Sequence, residues 1–150
     1  KTLTDKSNRY IGSMFFKKNN VNDKNDELVK IGALLIHTAK IDEDYSTKEV
    51  EIIKQALLKL GADNKDIEKI IKKAEEMETN SNQILDFTRE IKTMDEEDKV
   101  KIVKTLWKIV FSNKEADIYE TNLMRRLAGL LYIDNKIMGD IKEQIKNENL

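Results

Sequence analysis

The stretch DELVKIGALLIHTAK, Asp26 to Lys40, decides the fold. Its apolar residues Leu28, Ile31, Leu34, Leu35 and Ile36 spread wider than one amphipathic stripe, so it reads as a helix central in a core. The segments after it keep helical spacing. Val50, Ile53, Ala56, Leu57 and Leu60 share one face of a helix running from Ser46 to Leu60, and Gly61 fits its C-terminal stop. NKDIEKIIKKAEEM, Asn64 to Met77, repeats the pattern at Ile67, Ile70, Ile71 and Ala74. SNQILDFTREIK, opened by Asn80 or Ser81, carries Ile84, Phe87 and Ile91 and predicts a fourth helix. Asp95, Asp117 and Asp134 stand where N-caps belong for three more. The fifth, EEDKVKIVKTLWKIVF, buries Val100, Val103, Leu106, Trp107 and Val110. The expected fold is all-α, about seven helices on short connections.

Composition agrees. Hydrophobic residues are 39% and charged residues 37%, which suits one water-facing domain with a real core. Proline is absent and glycine occurs five times, so few residues break helices. The absence of cysteine removes disulfides and thiolate metal sites and leans toward a reducing, cytoplasmic setting. A net charge of −1 with both signs interspersed implies no nucleic-acid surface. No apolar run approaches the roughly 20 residues of a membrane span. The helical domain is expected over 26–150, after a polar arm or linker over 1–25. Within that arm YIGSMFF offers an alternative, a short helix docking Phe15 and Phe16 on the domain or peripherally on a membrane. The chain begins with Lys, which leaves an upstream signal or anchor open.

The sequence partly repeats itself at one fixed offset, the separation of Ile31 from Ile102. At that offset Leu35 matches Leu106 and Ala39 matches Val110. Further on, Ile52 matches Leu123, Ile53 matches Met124, Ala56 matches Leu127 and Leu60 matches Leu131. Glu49 matches Glu120 and Asp42 matches Asn113. Two helix-loop-helix units of one build are therefore expected over 31–60 and 102–131.

The loops of these units hold the polar residues that need explaining. Ser46 to Glu49, STKE, has the form of a capping box, in which Ser46 and Glu49 each satisfy the other's backbone N–H. DIYE, Asp117 to Glu120, is a similar arrangement. Capping does not account for DED at Asp42 to Asp44, which lies at the C-terminal end of the preceding helix, where its dipole disfavours acids. Full solvation would tolerate the cluster; a bound Mg²⁺ or Ca²⁺ would relieve it. An EF-hand is excluded, because counting from Asp42 its glycine falls on Thr47 and its last glutamate on Ile53.

These segments together resemble the tellurite-resistance TerB-like family. Its pattern is an apolar helix, then Ala-x-Ala-Asp-Gly-x-Ile/Leu-Asp, then a Glu opening the next helix, in two copies. AKIDEDYSTKE places Asp42 on the family Asp and Glu49 on the family Glu. FSNKEADIYETNLMRRLAGLLYI is the second copy, and ILDFTREI and VKTLWKIVF also look like family segments. The resemblance covers roughly residues 26–147. It implies an all-helical domain of two similar halves and a divalent-cation site built from Asp42, Asp44, Glu49, Asn113 and Glu120. The family Gly is replaced by Glu43 in the first loop and Lys114 in the second, and the second loop is weakened further because Asn113 replaces an Asp and Asn122 stands where a His is common. Any cation is then expected chiefly on the first loop.

Other residues read as structure. His37, the only histidine, is expected at the core or its boundary, and Trp107 in the core. Of Arg125 and Arg126, one is expected to pair with a first-loop acid and the other to face solvent. Phosphate-binding Gly-rich loops, nucleophile elbows and His-Glu-x-x-His pairs are absent. The expectation is a non-enzymatic module that binds a divalent cation or an unidentified protein partner in a stress-response or membrane-associated system. The alternative is a metal-free protein-interaction domain whose acids are only helix caps.

Overall fold

The computed structural model describes residues 24–41, 46–81, 84–112 and 118–148, with side chains of the last stretch from 122 onward. Among the described residues there are seven α-helices and no strand. Helix α1 spans 24–39, α2 Thr47–Lys59, α3 Ile67–Asn80 and α4 Leu85–Thr88. A 3₁₀ turn at Ile91–Thr93 leads to α5 Glu96–Phe111, α6 Ile118–Leu130 and α7 Asn135–Glu148. The all-α expectation holds. Residues 1–23, which include most of the polar arm, lie outside the described residues.

One predicted helix is not continuous. Periodicity at Ile84, Phe87 and Ile91 predicts a helix through Lys92, but the chain forms the single turn α4 and then the 3₁₀ turn. Ser81 and Met94 are extended at its two ends, with ψ of 141° and 166°. Phe87 and Ile91 are nonetheless buried, so the spacing marked a buried face correctly and its helical length wrongly.

The repeat is visible in the backbone. Thr47 and Ile118 begin, and Lys59 and Leu130 end, the two 13-residue helices α2 and α6, each pair separated by the offset of the apolar pattern. Both helices close with the same Schellman arrangement. Gly61 N–H donates to Leu58 O and Ala62 N–H to Leu57 O; at the matching positions Tyr132 N–H donates to Gly129 O and Ile133 N–H to Ala128 O. The residue after each C-cap has positive φ, 116° at Gly61 and 58° at Tyr132. Glycine takes that conformation freely, whereas a tyrosine there costs about 1–2 kcal/mol. Tyr132 is 68% exposed, and the Lys92 and Lys99 ammonium groups lie 5.5 and 6.0 Å from its ring centre. These cation–π contacts offset part of the strain.

Burial extends the correspondence to a third helix. Ile67 and Met138, Ile70 and Ile141, and Ala74 and Ile145 are all buried at the same offset. The repeating unit is therefore three helices, α1–α3 and α5–α7, joined by the segment that contains α4. Helices α1 and α3 approach closely, since a Cβ on Gly32 would come within 3.0 Å of the Ala74 Cβ.

The hydrophobic core is continuous through both units. Leu35, Leu106, Trp107, Leu127 and Leu131 are buried as expected, while Val50 and Val100 are only half-buried. Trp107 is 3% exposed and stacks on Phe111 one turn away, with ring centres 5.7 Å apart. On α7, the Lys142 ammonium lies 5.4 Å from the Trp107 ring centre. Trp107→Ala is expected to cost about 3–5 kcal/mol in chemical denaturation. A loss under about 1 kcal/mol would mean that the indole is not part of the core.

Candidate functional site

Glu49 is the one predicted ligand whose side chain is described, and it is 2% exposed. A carboxylate so deeply placed must be hydrogen-bonded to keep its charge. Local sequence supplies the first partners. Ser46, extended at φ −100° and ψ 177°, is the N-cap of α2, and both arms of the capping box form. Ser46 N–H donates to Glu49 Oε1 at 2.9 Å, and the Ser46 hydroxyl donates to the same oxygen.

The other carboxylate oxygen faces the second unit. Ser112, the C-cap of α5, donates its hydroxyl to Glu49 Oε2 at 2.7 Å. The same hydroxyl lies 2.7 Å from Ile109 O, but it has one proton, and the charged acceptor forms the stronger bond. Beside it, Lys48 Nζ donates to Ser112 O at 3.1 Å, placing a cation at the carbonyl end of α5. Two successive residues of α2 thus hold one residue at the end of α5. This clasp joins the two repeats.

Its electrostatics follow from its geometry. Burial pushes the Glu49 carboxyl up. The hydroxyls of Ser46 and Ser112 and the N–H groups of Ser46 and Glu49 itself outweigh that and hold it below the usual glutamate range. Glu49 is therefore ionised at neutral pH.

Asp42, Asp44 and Asn113 lie outside the described residues. Glu120 falls in the first turn of α6, its side chain outside the described set. Among the described residues no three His, Cys, Asp or Glu side chains converge as a metal site. Both Glu49 oxygens already accept hydrogen bonds, two at Oε1 and one at Oε2, which fixes the carboxylate in place.

His37 is half-buried, as expected of a boundary residue. Its Nδ1 lies 3.4 Å from Glu78 Oε2, and Lys40 Nζ donates to Glu78 Oε1 at 2.9 Å. Arg125 and Arg126 are both exposed. Sequence reasoning missed Ser112. Its repeat counterpart is Ile41, so the repeat gave no hint of a hydroxyl there.

The family comparison agrees with the helical repeat. The model for tellurite resistance protein TerB matches residues 29–143, and the chain belongs to that family. No curated protein and no solved structure matched it. No helix among the described residues is long and apolar enough to cross a membrane.

Ser112→Ala is expected to cost about 1.5–3 kcal/mol, the value of a hydrogen bond to a charged group. A double-mutant cycle with Glu49→Ala should give a coupling of about 0.5–3 kcal/mol. Strict additivity would show that the clasp carries nothing. The depressed carboxyl also sets a pH dependence: its stabilisation is complete above the ordinary glutamate value of about 4.3 and is lost as pH falls through the lower folded value. Unfolding free energy should therefore drop less steeply from about pH 5 toward about pH 3 in Glu49→Gln than in wild type.

Proposed function

We propose that this TerB-family chain is a non-catalytic protein-interaction module in which Glu49 is structural. The observation that carries this reading is that both Glu49 oxygens accept hydrogen bonds, one from Ser46 and the other from Ser112. The acid that the family pattern places at the start of the second helix is here committed to capping α2 and tying it to α5. Capping thereby accounts for Glu49 without a ligand. The module's work then falls to its surfaces, with a protein as the partner and a reducing, cytoplasmic setting as the expected place.

Divalent-cation binding is the second reading, favoured by the TerB match and by the acids of the first loop. Mg²⁺ or Ca²⁺ would be held chiefly by Asp42 and Asp44, with Asn113 and Glu120 of the second loop as the weaker partners. Glu49 would add the remaining lone pair of its Oε2 to such a site. A role in stress response or at a membrane surface belongs to this same proposal.

Thermal unfolding separates the two readings. For the interaction module, millimolar Mg²⁺, Ca²⁺, Mn²⁺ or Zn²⁺ should leave the Tm of wild type and of Asp42→Asn unchanged. A cation that raises the wild-type Tm progressively as its concentration exceeds Kd, with the rise lost in Asp42→Asn, establishes the second reading and removes the first.

A further inference from the structure

A groove of about 690 Å³ lies between α2, α5 and α7. Half-buried Ile52 gives it apolar surface together with the lysine stems, above the buried Ala56 and Ile145. Lys101, Lys104 and Lys108 line it from α5, and Lys59 stands across from them on α2. Three lysines at spacings of three and four on one helix face repel one another. Lys104, Lys108 and Lys59 have no acidic partner among the described residues, and Lys101 reaches Asp98 only at 3.9 Å. The two acids in the groove, Glu51 and Glu148, offset only part of the charge of the four lysines. Glu51 accepts from Gln55 at 3.0 Å and Glu148 from Gln144 at 3.5 Å, each within its own helix.

The repeat shows what covers such a strip. The α1 counterparts of Lys101, Lys104 and Lys108 are Lys30, Ala33 and His37. All three are covered or paired. Ala33 is fully buried, Lys30 pairs with Glu90, and His37 meets Glu78. The Phe87 ring lies 6.3 Å from the His37 ring. The segment that contains α4 thus brings an apolar ring and a carboxylate to the basic strip of the first unit. The same strip on α5 carries more charge, and among the described residues only α2, α5 and α7 line the groove beside it.

We propose that the groove between α2, α5 and α7 docks a short, acidic, amphipathic helix of a partner protein, whose apolar residues pack on Ile52 and the lysine stems and whose carboxylates meet Lys101, Lys104 and Lys108. This rests on the reading of the chain as an interaction module and names its surface. Helix-in-groove binding needs an apolar stripe at three- and four-residue spacing, and acids flanking that stripe match the lysine row. Lysine stems also extend the apolar walls while their ammonium groups stay wet.

The test uses a fluorescein-labelled peptide with the sequence of residues 84–94 carrying Lys92→Glu, held helical by an i,i+4 hydrocarbon staple in place of Leu85 and Arg89, titrated with the full chain. It keeps Phe87 and Ile91 and presents carboxylates along one side. Binding is expected to weaken roughly tenfold or more in the Lys101→Glu/Lys108→Glu chain, and similarly when the peptide carries Phe87→Ala. It should also weaken as salt rises, and Lys30→Glu in the chain should leave it unchanged. The two α5 positions are solvent-accessible, so an unchanged Tm and helical circular dichroism signal show that folding is not the cause. No binding by wild type overturns the proposal. Equal binding by wild type and the double variant also overturns it, while leaving the chain an interaction module. Binding to phosphatidylcholine–phosphatidylglycerol vesicles through Lys101 and Lys108, with none to peptide, overturns it too and assigns the strip to a lipid surface instead. The cation response of the Tm tests the underlying reading separately.

Discussion

The buried carboxylate of Glu49 must find donors on every side, and that requirement fixes how the two halves of the molecule meet. One oxygen is satisfied within the first turn of α2. The other is satisfied only if the C-terminal end of α5 comes alongside. Each unit alone is a set of three helices with apolar faces that many arrangements would bury. Apolar burial supplies most of the free energy of folding but is non-directional. The hydrogen bond from Ser112, backed by Lys48 on the adjoining carbonyl, selects one arrangement of α2 against α5.

Much of this was legible in the sequence, because it is local or periodic. The bounds of α5, the positive-φ stop at Gly61 and the capping box at Ser46 follow from residue type at fixed spacing. The N-cap at Asp134 is seen directly, with its Oδ1 accepting from Lys136 N–H at 2.9 Å. The fixed offset found in the apolar pattern reappears in helix bounds, buried positions and helix-end hydrogen bonds. What was not legible is what lies between distant residues. Ser112 is 63 positions from Glu49, and nothing in its neighbourhood marks it as a donor to a buried acid. The broken helix around Phe87 was hidden for a related reason: periodicity reports which residues are buried, not how long the backbone stays helical.

The two halves have diverged in what they expose. In the first, the strip on α1 is closed by Glu78, Phe87 and Glu90. In the second, the matching strip on α5 is a lysine row beside an apolar groove. The loops have diverged too, since the first holds Asp42, Glu43 and Asp44 where the second holds Asn113, Lys114 and Glu115. One fold can thus present two different surfaces, and the clasp at Glu49 holds them in register.

The central claim is that Glu49 is ionised, buried and occupied. The most direct measurement is a ¹³C NMR titration of its carboxyl carbon in wild type and in Ser112→Ala, with and without Mg²⁺. The account predicts a midpoint below the usual glutamate value, a rise when Ser112 is removed, and no chemical-shift response to the cation. A midpoint at or above the usual value that ignores Ser112, or a resonance that moves with stoichiometric Mg²⁺, would contradict it.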